Sequence, residues 1–142
     1  MEIANKLALA ALKLSYTHLC IITSGGMDEA SLSDPTSVFE VKKRSLTTFT
    51  FDPATYGFKK PTKDMLEGGS AQHNAQIIHE ILDGIQGSRR DIVLLNSAIA
   101  LYAAGAVKNI KDGVRAAQRS IDTGQAKETL RLLIQETGAY VS

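Results

Sequence analysis

His18-Leu19-Cys20-Ile21-Ile22-Thr23, followed at once by Ser24-Gly25-Gly26-Met27-Asp28-Glu29, is the stretch on which the fold turns. A short, largely apolar run without alternation, closed by two glycines, reads as a strand buried on both faces, the kind that parallel sheets use. Upstream, Ile3, Leu7, Ala10, Ala11 and Leu14 recur at helical spacing, so a helix over Met1 to Leu14 leads into the strand. Helix, short loop and buried strand make half of a βαβ unit, and the strand that would precede it is missing.

Downstream, Ser37–Val41 and Leu46–Phe51 are rich in β-branched and aromatic residues, and the polar Lys42-Lys43-Arg44-Ser45 joins them. A hairpin follows, with Phe39 and Val41 on one face of the first strand and Phe49 and Phe51 on one face of the second. Asp52 to Gly69 carries Pro53, Gly57, Pro61 and Gly68-Gly69, which predicts an irregular segment with one helical turn near Thr62–Leu66. The remainder is helical. Ile77, Ile78, Ile81, Leu82 and Ile85 form a stripe ending at Gly87 as a C-cap. Arg90 to Ala104 is apolar almost all round and reads as a central, buried helix. Asn109 and Asp112 open the next helix in capping-box fashion, with a stripe of Ile110, Val114, Ala117 and Ile121. Thr123-Gly124 breaks it, and a last helix over Gln125 to Glu136 uses Leu130, Leu133 and Ile134. Three strands are too few for this much apolar helix to cover, so the chain reads as part of a larger α/β fold.

Length and composition narrow the function classes. One domain fits 142 residues, and no linker, repeat or low-complexity tract divides them. Sixteen Lys and Arg against fifteen Asp and Glu leave a formal charge of +1, without the basic excess of a nucleic-acid binder. No apolar run approaches the ~20 residues that span a bilayer. Lys6 and Lys13 bracket Leu7–Leu12 too closely for a signal-peptide core. Cys20, the single cysteine, forms no internal disulfide, which fits a reducing compartment. The expectation is a cytoplasmic protein that binds neither nucleic acid nor membrane.

Gly25-Gly26-Met27-Asp28-Glu29 is the best local candidate for chemistry. Open parallel sheets place ligands outside the carboxyl ends of their strands, where this loop falls. Two adjacent carboxylates suit magnesium, which prefers oxygen ligands and bridges to substrate phosphates. On residue chemistry alone a solvated, capping turn is the simpler account. Gly68-Gly69-Ser70, before the Ile77 helix, offers backbone N–H groups to a phosphate, although a plain helix start capped by Ser70 explains it more simply. Asn74 is placed to tie down a loop, and Asn96, polar within an apolar helix, reads as a structural anchor with its amide satisfied. His18, His73 and His79 show no metal spacing, and Cys20 reads as a small buried hydrophobe.

Gly26-Met27-Asp28-Glu29-Ala30-Ser31, Asp52-Pro53, Tyr56-Gly57, Leu66-Glu67-Gly68-Gly69, Asn74-Ala75-Gln76-Ile77-Ile78, Arg90-Asp91-Ile92-Val93-Leu94-Leu95-Asn96, Ala100-Leu101-Tyr102, Gly105, Gly113-Val114 and Ile121-Asp122-Thr123-Gly124-Gln125-Ala126 stand in one order. Each is weak alone. The ordered set resembles the C-terminal portion of anthranilate phosphoribosyltransferases over essentially the whole chain. The resemblance implies an α/β fold, the C-terminal part of the large α/β domain of the nucleoside phosphorylase/phosphoribosyltransferase fold. Residues 1–142 would form a single partial domain, one buried strand plus a hairpin covered by about five helices. The implied reaction is attack of the anthranilate amine on C1 of 5-phosphoribosyl 1-pyrophosphate, in tryptophan biosynthesis. Mg2+ is the implied cofactor, with Asp28 and Glu29 as its ligands, and no catalytic residue is carried over.

The sequence also departs from the family. Its Gly-Thr-Gly-Gly-Asp phosphate loop, its Lys-His-Gly-Asn stretch, its anthranilate-contacting arginine and its N-terminal helical domain have no counterpart in the 142 residues. Ile22-Thr23-Ser24 stands where Val-His-Gly is usual, and Ser15-Tyr16 where a glycine commonly turns helix into strand. The expectation is therefore a piece inactive alone, completed by a missing N-terminal half or prone to self-association. Two alternatives stay open: a pyrimidine nucleoside phosphorylase-like enzyme, and a non-catalytic interaction module or one half of a split enzyme.

Overall fold

The structure, a computed structural model, describes residues 2–138. Met1, which the sequence reading puts in the first helix, lies outside them. The elements run α1 (Glu2–Lys13), β1 (His18–Thr23), β2 (Thr36–Lys42), β3 (Ser45–Phe51), 3-10 turns at Pro53–Tyr56 and Lys63–Leu66, then α2 (Ala71–Leu82), α3 (Ser88–Ala103), α4 (Ile110–Asp122) and α5 (Gln125–Gly138). The strands form one antiparallel sheet in the order β1-β2-β3.

The hairpin has the expected strands and a two-residue turn. Lys43 and Arg44 both take positive φ, 50° and 61°, the twist that antiparallel partners prefer. β1 corrects the expectation of a parallel strand: it runs antiparallel to β2, pairing His18 with Lys42 through to Thr23 with Ser37. An apolar run records that both faces are covered, not the direction of the neighbouring strand. The strand is less enclosed than expected, since all six of its residues are half-buried, with partial cover on each face. Leu19 and Ile21 join Phe39, Val41 and Leu46 against α1, while Cys20 and Ile22 join Val38, Phe49 and Phe51 against Leu95, Ala98 and Ile99 of α3.

α1 corrects a second expectation. Its contact face is Ala4, Ala8 and Ala11, and the larger Ile3, Leu7 and Leu14 point away from the sheet, each more than half exposed. Small residues let the helix axis approach the sheet closely, so the alanines win the inner face. Gly87 is not the C-cap of α2. That helix ends at Asp83, and Gly84, at φ 86°, closes a Schellman motif in which Gly84 N–H donates to Ile81 O and Ile85 N–H to Glu80 O. Gly87 instead precedes α3 as its N-cap.

α3 is central, as expected, but not buried all round. Leu94, Leu95, Ala98 and Ile99 are buried while Val93 and Ala100 are exposed. α4 starts as read, with Asn109 Oδ1 accepting from Asp112 N–H at 2.9 Å. It packs tightly on α3 at Gly113, where a Cβ would lie 2.7 Å from the Ala98 carbonyl oxygen. α5 buries no residue; Leu133 and Ile134, expected on its inner stripe, are more than half exposed.

Candidate functional site

The loop after β1 is held at both ends. Ser24 to Met27 forms a tight turn, with Met27 N–H on Ser24 O at 2.8 Å and positive φ at Gly25 (54°) and Gly26 (79°). Gly25 is required twice, because a Cβ there would also meet the Asp34 carboxylate at 2.4 Å. The buried Ser24 hydroxyl donates towards the carbonyls of Asp34 and Pro35 and accepts from Ser31 N–H at 3.1 Å, pulling the loop closed. Asp28 and Glu29 project from this turn into solvent.

Immediately behind them, Asn96 of α3 grips the Ala30 peptide group from both sides. Its Oδ1 accepts from Ala30 N–H at 2.9 Å, and its Nδ2 donates to Ala30 O and to Ile92 O, each at 3.0 Å. Asn96 is thus the anchor that the sequence suggested, and its position explains why it is polar: it sets the direction in which the acidic pair leaves the core. Asn74 repeats the device on the other loop, accepting from Gly69 N–H at 2.8 Å and donating to Gly69 O. Ser70 caps α2 through His73 N–H at 3.2 Å. With Gly69 and His73 N–H engaged in this way, Gly68-Gly69-Ser70 forms a plain capped start.

The two loops share a cleft of about 310 Å3 between α2 and α3. Glu29, Gly68, Asn74 and Arg89 give it a polar rim, and Ile77 and Ile92 contribute to its apolar wall. Asp28 is not part of that wall. Arg89 donates to Glu67 O at 2.8 Å, which ties the guanidinium to the loop while keeping a positive charge on the cleft. Nothing in the sequence reading pointed to Arg89; only the fold of Glu67–Asn74 over α3 gives it a role.

A sequence profile for the glycosyl transferase family, a/b domain, matches residues 1–127. The chain belongs to this family. It is 39% identical over 137 residues to anthranilate phosphoribosyltransferase of Pelotomaculum thermopropionicum, covering 96% of this chain and 40% of the relative. Against the enzyme of Syntrophotalea carbinolica it is 45% identical over 112 residues, 79% of this chain and 32% of the relative. Among solved structures, the Saccharomyces cerevisiae anthranilate phosphoribosyltransferase in complex with PRPP and Mg superposes with a TM-score of 0.86 at 25% identity, over 97% of this chain and 40% of that one. The Thermus thermophilus enzyme gives 0.84 at 27% identity, over 94% and 40%. The chain is thus a homologue of anthranilate phosphoribosyltransferases that spans about 40% of the length of the curated relatives it matches.

In this glycosyl transferase a/b domain the Asp28–Glu29 donor set fits magnesium. Both carboxylates offer hard oxygen and both are exposed, so water or phosphate oxygens can complete a coordination shell. His73 and His79 take no part in the cleft. His18 and Cys20, which no sequence spacing links to a third ligand, are brought beside Glu40 and Tyr102 between sheet and α3. Burial raises the Cys20 thiol to about 11, with Glu40 adding to the effect. The hydrogen bond to Glu40, with burial, raises the Tyr102 hydroxyl to about 12. For Glu40 burial acts upward, but hydrogen bonds from Tyr102 and His18 and the charge of Lys42 prevail and hold its carboxyl below the usual range. The i, i+2 spacing of His18 and Cys20 places them on one strand face. Their meeting with Glu40 depends on the β1–β2 register, which spacing does not reveal.

Proposed function

We propose that this chain forms the metal-holding side of a phosphoribosyltransferase active site. The reaction transfers the phosphoribosyl group of 5-phosphoribosyl 1-pyrophosphate to the amine of anthranilate, giving N-(5-phosphoribosyl)anthranilate and pyrophosphate, a step of tryptophan biosynthesis. The observation that carries this reading is the pairing of a clamped acidic turn with a second clamped loop across one cleft, in a chain homologous to these enzymes. Residues 1–142 make up a single partial domain, the C-terminal portion of the large α/β domain of the nucleoside phosphorylase/phosphoribosyltransferase fold.

Asp28 and Glu29 would hold Mg2+, which when bound supplies positive charge against the pyrophosphate leaving group. The rest is positioning by the chain's own residues. Asn96 fixes Ala30 and so the exit of the acidic pair; Asn74 fixes Gly69 on the facing loop; Arg89 adds positive charge to the rim for an anionic ligand. Preset dipoles and charges of this kind stabilise charge as it develops without reorganising during the reaction. An aromatic amine needs little help from a base, so orientation and leaving-group stabilisation account for the rate.

The 142 residues carry no phosphate loop, so alone they should not turn over substrate. An assay of anthranilate consumption, with and without a second polypeptide bearing the Gly-Thr-Gly-Gly-Asp loop of a relative, tests this. Activity should need both parts and fall at least ~100-fold in Asp28→Ala, the scale of losing one electrostatic stabiliser. Product formation by the 142 residues alone, lost in Asp28→Ala, would overturn the division of roles. Full activity of the Asp28→Ala, Glu29→Ala variant in the two-part system would overturn the metal assignment.

A further inference from the structure

We propose that His18, Cys20 and Glu40 form a binding site for a zinc-class divalent transition metal, on the sheet face opposite α1 and separate from the Asp28–Glu29 turn. The sheet supplies the geometry. His18 and Cys20 project from the same face of β1, and register pairs Cys20 directly with Glu40 of β2. One donor atom from each of the three lies within 4.8 Å of the other two. His18 Nε2 is 2.8 Å from Glu40 Oε1 and 3.9 Å from Cys20 Sγ.

Ligands on a tetrahedral zinc-class ion stand about 3.3 to 3.7 Å apart, given metal–ligand bonds of about 2.0 to 2.3 Å. Side-chain shifts of up to about 1 Å therefore convert the apo cluster into three sides of a coordination shell. Thiolate, imidazole and carboxylate together select zinc or cobalt over magnesium, which seeks oxygen alone. The cysteine ligates as thiolate, its proton passing to solvent, and His18 ligates through Nε2 as the Nδ1–H tautomer, the Nε2 proton that now faces Glu40 being exchanged through solvent.

The surroundings also suit a metal site. Tyr102 OH donates to Glu40 Oε1 at 2.6 Å, and Thr47 Oγ1 donates to Oε2 at 3.4 Å, which orients the carboxylate as outer-sphere partners do. The Tyr102 ring packs edge-on to His18 at 5.1 Å and holds the imidazole in place. Thiolate and carboxylate would balance a divalent ion. Lys42, 3.8 Å from Glu40 and 4.7 Å from the Tyr102 ring centroid, can stay with the aromatic face. The His18 and Glu40 side chains each keep 11% exposure, so the cluster touches solvent, from which a water would take the fourth position.

Cobalt(II) titration of the 142-residue chain tests the proposal, because thiolate ligation gives a charge-transfer band and tetrahedral coordination gives intense visible bands. One equivalent should produce both, zinc should bleach them, and excess magnesium should leave them unchanged. Cys20→Ser should abolish the charge-transfer band, His18→Gln should remove the tetrahedral spectrum, and Tyr102→Phe should weaken affinity about 10–100-fold through the outer sphere. Far-ultraviolet circular dichroism confirms that each variant is folded. If one fails to fold, the other two and the wild-type titration decide. No charge-transfer band at millimolar cobalt, a spectrum unchanged by His18→Gln, or one metal per two chains would each overturn the site.

Discussion

Ser15 turns the chain between α1 and β1 at a φ of 60°, in the left-handed region where an L side chain costs about 1–2 kcal/mol. Its N–H bonds to Leu12 O, and that of Tyr16 to Ala11 O, the pattern of a helix ending in a left-handed residue, which glycine usually supplies. Ser15→Gly should therefore stabilise the fold by up to about 1 kcal/mol, after the extra entropy glycine loses on folding. Urea denaturation should show a higher midpoint at unchanged slope, and a lower midpoint would refute the strain. Asn96 is the opposite case, a polar side chain the fold cannot spare. Asn96→Ala leaves Ala30 N–H and O without their partner, at a cost of about 1–3 kcal/mol. Hydrogen exchange at the Ala30 amide should then rise by more than the global loss of stability explains. If it follows global unfolding alone, Asn96 supports the core and not the loop. Both roles could be suspected from sequence, because an isolated amide in an apolar helix needs partners. Arg89 and the His18–Cys20–Glu40 group could not be found that way. They meet only through a loop fold and a strand register.

At the scale of elements, the hairpin, the three central helices and the capped starts of α2 and α4 were legible because each rests on local chemistry. Ser70 and Asn109 cap where they stand, and Val38, Phe39, Val41, Leu46, Phe49 and Phe51 sort themselves by alternation. Direction and facing were not legible. The β1 run is equally apolar beside a parallel or an antiparallel neighbour, and α1 offers both an alanine stripe and a leucine-rich one. The sheet selects the stripe that lets the backbones approach. The hairpin turn gives a prediction at this scale. Lys43 and Arg44 carry long side chains at two positive-φ positions, where Asn-Gly is the favoured pair. The double change Lys43→Asn, Arg44→Gly should raise stability by about 1 kcal/mol, since the strain resembles that at Ser15. Thermal unfolding at fixed concentration measures it, and a fall in the midpoint would show that the turn carries no strain.

Across the whole molecule, apolar surface remains where another layer would normally lie. α1 presents Ile3 and Leu7 outward, with Leu14 just beyond its end, and α5 presents Leu132, Leu133 and Ile134, all between 45% and 74% exposed. Among the described residues β1 has a strand partner on one side only, and its other edge offers backbone N–H and C=O groups for further pairing. An apolar helix face beside an open sheet edge is a surface that associates. The 142 residues should therefore self-associate when isolated, with light scattering giving a mass that rises above 15.3 kDa as concentration increases. Leu7→Lys with Leu14→Lys should lower that mass without lowering the unfolding midpoint, because neither side chain packs in the core that Ala4, Ala8 and Ala11 make with the sheet. On the proposed function, a second polypeptide bearing the Gly-Thr-Gly-Gly-Asp loop of a relative should protect the same surface and suppress association at matched concentration. A stable 15.3 kDa species at every concentration would mean that these faces do not drive association. Association that survives the α1 lysines would instead move the contact to α5 or to the edge of β1.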